Sequence, residues 1–243
     1  VYTADPNFFQ YLYALTPPAS SYLSTGFGSA VAVTRNAIAV SAPGGFRIVP
    51  GRLRGPLQIV RSPGYVYLFG STLTTLTGVG TEGPSGSRAF GASLSASLDG
   101  TALAVGAGHE VGRDLTTYVY RLGSTGAWSL TNTILAPSGA AGTDISVGID
   151  DYLAIATDAP GGTSAATLRF YELGGFLGPT LDATISLTDG ATAPVGLRAG
   201  HAVVGQPDFF GDVGYLGTYA ATRAVVLAQG GLASAGAAPA AAP

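Results

Sequence analysis

Cysteine is absent from the 243 residues, which excludes disulfides, thiol catalysis and zinc sites of the cysteine type. Lysine is absent too, so all 11 basic residues are arginine, a bias that reads as GC-rich coding rather than as a functional device. Against 14 acidic residues the net charge is -3, and a chain without a basic surface is not expected to bind nucleic acid. Charged residues make up only 10% of the chain, where an average soluble domain has about 25%. No apolar run reaches the roughly 18 uninterrupted residues of a membrane helix: the richest, 213–227, is broken by Gly, Thr and Arg223. Methionine is missing even from position 1, so Val1 reads as a processed N-terminus and the expected location is secreted or cell-surface.

What the chain has instead is 47% hydrophobic residues, 37 glycines and 15 prolines, a balance that suits many short buried strands joined by turns. The length suits one closed all-β domain, since barrels and propellers of about 200–250 residues fold as single units.

A repeat runs along it. A short apolar strand ending in a small-residue turn occurs four times, as AIAVSAPG (37–44), TALAVGAG (101–108), LAIATDAPG (153–161) and HAVVGQPD (201–208). With Ala42, Ala107, Ala159 and Gln206 taken as equivalent, the spacings are 65, 52 and 47 residues, each enough for a four-stranded propeller blade. An earlier strand precedes each anchor: FGSAVAVT (27–34), FGASLSAS (90–97), TDISVGID (143–150) and PVGLRAG (194–200). In the first two, alternation leaves one face small, which lets another sheet approach closely. An aromatic third strand follows each anchor, as GYVYLF (64–69), TYVYRL (117–122), TLRFYEL (167–173) and VGYLGTY (213–219). A fourth is clear in three repeats, at 73–78, 128–135 and 181–187. In the last repeat that place falls either to the N-terminal strand FFQYLYAL (8–15), closing a ring and removing exposed edges, or to AVVLAQ (224–229). Residues 230–243 form an Ala/Gly/Pro-rich tail after a domain spanning 1–229, and such a tail is expected to lie against a partner or a neighbouring subunit.

Phe27-Gly28 with Ala42-Pro43, and Phe90-Gly91 with Gly106-Ala107 and Tyr118-Val119-Tyr120, resemble the FG-GAP repeat of integrin α-like β-propellers. The third and fourth repeats lack the Phe-Gly pair. The resemblance covers residues 8–229 and implies an all-β fold, a small propeller of about four four-stranded blades, serving adhesion or the recognition of proteins or glycans. Members of the family have about seven blades, so four copies imply a miniature ring, a partial one completed by another chain, or another repeat architecture. Many such repeats hold calcium in an Asp-x-Asp-x-Asp-Gly loop. Here the ladder is missing: Asp99 stands alone and Asp150 and Asp151 are adjacent, so these weak calcium candidates read better as turn residues and no cofactor is expected.

No catalytic group stands out, and the chain reads as a non-enzyme. His109 and Glu110 share a polar loop with Arg113 but have no second fixed partner for acid–base work, while His201 opens a strand. Asp158, Asp208 and Asp212 fall on equivalent loops after the second strands, where turn formation explains them. The longest insertion, 45–64, carries Arg47, Arg52, Arg54 and Arg61 among apolar residues that suggest a hairpin docking on another surface. Together these loops form the expected partner surface. The main expectation is an extracellular recognition or adhesion module binding a protein or glycan. The alternatives are a structural subunit of a filament, coat or surface layer, assembling through the tail, and a lectin using the tyrosines and Trp128 as stacking platforms.

Overall fold

The computed structural model describes residues 2–4, 9–11, 14–19, 23, 25–50, 56–78, 89–108, 115–135, 145–150, 152–157, 167–173, 178–186, 195–198, 201–206, 215–220 and 230–231. Among them every regular element is a strand. β1 (Tyr2–Ala4) and β2 (Phe9–Tyr11) pair with each other. Four antiparallel four-stranded sheets follow, each a simple meander. The first holds β3 (Val31–Val33), β4 (Ile38–Ala42), β7 (Tyr65–Phe69) and β8 (Leu73–Thr77), with a separate hairpin of β5 (Phe46–Val49) and β6 (Gln58–Arg61) inserted after β4. The second holds β9 (Phe90–Ala96), β10 (Ala102–Ala107), β11 (Thr116–Leu122) and β12 (Trp128–Leu135). The third holds β13 (Ile145–Ile149), β14 (Tyr152–Thr157), β15 (Thr167–Glu172) and β16 (Thr180–Ser186). The fourth holds β17 (Val195–Arg198), β18 (His201–Gln206), β19 (Tyr215–Ala220) and β20 (Gly230–Gly231).

The all-β class and the order of four strands per repeat agree with the sequence reading. Two details differ. Among the described residues the N-terminal strand does not join the last sheet: β2 pairs with β1, and the fourth place in the last sheet goes to β20, at the start of the segment read as a tail. Residues 224–229, the rival for that place, lie outside the described residues. The register also puts Thr157 rather than Ala159 level with Ala107, counting from the first-to-second turns closed by the pairs Ala96↔Leu103 and Ile149↔Leu153. A two-residue shift keeps every side chain on its face, because a strand repeats every two residues, so the pattern survived the misalignment.

That register makes the four sheets comparable position by position. The last front-face residue paired in the first strand is Val33, Ala96, Ile149 or Leu197, the fourth sheet adding one further pair, Arg198↔His201. The residue before it is Ala32, Ser95, Gly148 or Gly196, and the one before that Val31, Leu94, Val147 or Val195. Each sheet therefore has a front face, carrying the larger apolar members, and a back face carrying the small ones.

The core is built where a front face meets the back face of the preceding sheet. Phe90, Leu103, Val105, Tyr118 and Tyr120 of the second sheet pack on Ala39, Val66, Leu68 and Leu76 of the first. Val147, Ile149, Leu153 and Ile155 of the third pack on Ala102, Ala104, Val119 and Ile134 of the second. Val195, Leu197 and Ala202 of the fourth pack on Ala154, Ala156, Leu168 and Phe170 of the third. The first strands lead these contacts at the second and third junctions, β9 with β13 and β13 with β17, while at the first junction β4 meets β9 more than β3 does.

Small back-face residues set the spacing. A side chain added at Gly148 would put its Cβ 2.9 Å from Leu197 Cβ and 3.1 Å from Leu197 N, inside van der Waals contact with the next sheet's backbone. Tyr120, on the front of the second sheet, bridges the same kind of gap by donating its hydroxyl to Thr77 O at 3.1 Å, and burial pushes its pKa up to about 12.

An aromatic trio recurs. The Phe90 ring lies 5.3 Å from Tyr118 and 6.4 Å from Tyr120, and at the matching positions Phe27 lies 6.0 Å from Tyr67 and 6.1 Å from Phe69. The first trio is sealed between sheets, whereas Phe27 is only half-buried. Two stability outcomes follow from this packing. Phe90→Ala is expected to cost about 3–5 kcal/mol by cavity formation and Phe27→Ala clearly less, while Gly148→Ala costs about 1–3 kcal/mol by overpacking, all read from denaturant melts.

Candidate functional site

The meander places the first-to-second turns at one end of the stack and the second-to-third connections at the other, because the second strand runs between them in every sheet. The two ends differ in chemistry.

At the turn end, short loops are tied to one another across the sheets. The Arg35 amide donates to Gly100 O at 2.9 Å, joining the first sheet to the second, and the Leu98 amide donates to Asp150 Oδ1 at 3.4 Å, joining the second to the third. Asn36 is held twice by the second sheet, accepting from Trp128 Nε1 at 3.2 Å and donating to Gly126 O at 3.3 Å. Trp128 is thus half-buried and engaged between two sheets, and Tyr118 and Tyr120 are buried, so these rings are not open stacking platforms.

Asp99 sits in the middle of this row. Its Oδ1 accepts from Ser97 Oγ at 2.6 Å and from the Thr101 amide at 3.0 Å, and its Oδ2 accepts from Thr101 Oγ1 at 2.6 Å. Both oxygens of the carboxylate close the 97–101 turn. Hydrogen bonds from Ser97, then Thr101, hold its pKa down to about 2. Asp150 spends Oδ1 on the neighbouring sheet, and Asp151 lies outside the described residues. Among the described residues no three His, Cys, Asp or Glu side chains cluster closely enough to hold a metal ion.

At the other end stands the β5–β6 hairpin. Its base is fixed: Ser62 is fully buried, its amide donates to Gly45 O at 2.8 Å, and Pro63 O accepts the Phe90 amide at 3.1 Å, pinning the return strand to the second sheet. Leu23 adds a bridge to Phe46 through reciprocal amide bonds of 2.8 and 3.1 Å. Opposed residues in an antiparallel pair share a face. The pairs Phe46↔Arg61 and Ile48↔Ile59, with Leu23 beside them, therefore form one face, and Arg47↔Val60 and Val49↔Gln58 the other. The first face is exposed: Ile48 and Ile59 keep more than half their surface, and Leu23 and Leu57 are also open to solvent.

The sequence grouped four arginines on this insertion. Strand alternation sends Arg47 and Arg61 to opposite faces, so these two do not converge, and Arg52 and Arg54 lie outside the described residues. His109, Glu110, Arg113, Asp158, Asp208 and Asp212, assigned from sequence to the connections at this same end, also lie outside them. His201 is exposed at the start of β18. Sequence reading missed Asn36 and Ser97, which lock turns and sheets together. Their only signal was the turn preference of Asn and Ser.

No protein-family model matches the chain, and no curated protein matches it. The class defined by the structure is an all-β protein of stacked four-stranded meanders. No helix among the described residues is long and apolar enough to cross a membrane.

The turn carboxylate has a testable pH signature. Asp99 binds its proton less readily folded than unfolded, so its contribution is complete above about pH 4 and lost as pH falls to about 2. Asp99 is exposed, and solvent screening limits the charge contribution. Asp99→Asn is expected to lose about 1 kcal/mol at neutral pH, a gap that narrows towards pH 2, in thermal melts of both proteins across that range.

Proposed function

We propose that the chain is a non-enzymatic recognition or adhesion module, working outside the cell or at its surface, on an FG-GAP-like propeller scaffold. Its contact surface is the end of the stack that carries the second-to-third connections, and its partner is a protein or a glycan. The observation that supports this most is the β5–β6 hairpin. A hairpin anchored through a buried serine and a neighbouring sheet, yet turning Leu23, Phe46, Ile48 and Ile59 to solvent, keeps an apolar face away from the core. Exposed apolar patches on rigid supports are where protein partners dock. The connections carrying His109, Glu110, Arg113, Asp158, Asp208 and Asp212 would surround it. The reading needs no cofactor, and the turn carboxylates act in it as structural groups.

The lectin alternative is less favoured, because the ring trio around Phe90 is buried and Trp128 is bonded between sheets. The structural-subunit alternative draws support from Val31 and Val33, exposed on the outer face of the first sheet.

The test is binding of the fluorescently labelled chain to extracellular-matrix protein and glycan arrays, beside the double variant Ile48→Ser, Ile59→Ser. The expected result is a reproducible ligand whose binding falls roughly tenfold or more in the variant, with an unchanged melting temperature. No ligand on either array, or equal binding by both proteins, would overturn the reading.

A further inference from the structure

The two outermost faces of the stack are complementary halves of a contact that the chain already makes three times. At the third junction the back-face residue Gly148 receives Val195 and Leu197 of the fourth sheet, with Val195 Cγ1 3.3 Å and Leu197 Cβ 2.9 Å from where a side chain would begin. The register gives both partners counterparts at the free ends. Gly196 occupies in the fourth sheet the position that Gly148 occupies in the third, and nothing lies within 4 Å of its would-be side chain. Val31 and Val33 occupy in the first sheet the positions of Val195 and Leu197, and they are 56% and 72% exposed. Their counterparts in the third sheet, Val147 and Ile149, are 2% and 1% exposed.

The rest of that front face repeats the pattern, with Val40, Ala42 and Tyr67 on it already buried within the chain. Phe27, Tyr67 and Phe69 reproduce the trio that, in the second sheet, seals against Ala39, Val66 and Leu68. The pairing register of the fourth sheet places Val203, Gly205, Leu216 and Thr218 on the face of Gly196, with Arg198 and His201 at its turn end.

We propose that the front face of the first sheet docks on the back face of the fourth sheet of a second copy, seating Val31 and Val33 over the partner's Gly196. The second copy is the occupant because, within one chain, Val31 and Val33 at one end of the stack and Gly196 at the other stand open together. A contact between two different patches is head-to-tail, so it leads to closed rings or to open chains according to the rotation between copies. It lies on the ends of the stack and rests on the fold alone, independent of what the hairpin binds.

The protein has no cysteine of its own, so single cysteines report proximity cleanly. Two variants, Val33→Cys and Gly196→Cys, are purified separately, mixed and oxidised, and the double variant is oxidised alone. Light scattering over a concentration series is run on the wild type, on Val33→Arg and on Leu98→Arg, the last a control at another residue that is 72% exposed. The expected results are a disulfide-linked heterodimer in the mixture, wild-type mass rising with concentration, a dissociation constant raised at least roughly tenfold by Val33→Arg, and no change with Leu98→Arg. A wild type that stays monomeric, or an intact response in Val33→Arg, overturns the proposal. So does a double variant that closes its disulfide within one chain, which would mean that the fourth sheet covers the first of its own copy. Array binding by the hairpin is read separately, so failure here and failure of the recognition reading are distinguishable.

Discussion

The closeness of one sheet to the next governs this molecule. Small residues on the back of each first strand, Ala32, Ser95 and Gly148, leave room for the next sheet to bring its larger front-face residues into contact. Dispersion falls off steeply with distance, so a gap of even an ångström would forfeit much of the packing that covers Phe90, Tyr118, Leu153 and Phe170. With so few charged residues, the chain has little other than this packing and its backbone ladders to hold the sheets together.

Polar groups then fix what packing alone leaves free to slide. Apolar faces are poor at choosing a register between sheets, whereas hydrogen bonds have direction. The bonds from Arg35 to Gly100, from Trp128 to Asn36, from Leu98 to Asp150 and from Ile149 to Ser95 each join neighbouring sheets, and the first three do so at the turn end. Asp99 belongs to that rigid end, which leaves the opposite end free to carry longer and more varied connections. The hairpin grows there, and its return strand is tied to the second sheet by the bond from the Phe90 amide to Pro63 O.

The same logic accounts for the two surfaces of interest. One is the hairpin face, apolar although exposed, on a base too well tied to refold around it. The other is the pair of end faces, where Val31, Val33 and Gly196 are exposed because the end sheets have a neighbour on one side only. The repeat thus supplies the interface as a by-product of its own regularity.

Much of this was legible in the sequence. Alternation with period two marked the strands, the small face of FGSAVAVT and FGASLSAS marked where sheets approach, and turn residues separated the four repeats. Strand order within a sheet followed, since short connections between antiparallel strands leave few alternatives. The hairpin at 45–64 was visible as paired apolar residues, yet grouping its arginines required knowing the register: Arg47 faces Val60 and Arg61 faces Phe46, and one residue of slip would exchange the faces. Asp99 showed only as a turn residue, because hydrogen-bond saturation of a carboxylate depends on where Ser97 and Thr101 finish. Which strand completes the fourth sheet, that Asn36 clasps a tryptophan some ninety residues away, and that Val33 stands open while Ile149 is covered were decided by tertiary structure alone. The sequence determined local periodicity, which is a property of neighbouring residues. What lies against each face depends on how separate sheets meet, and no local pattern encodes that.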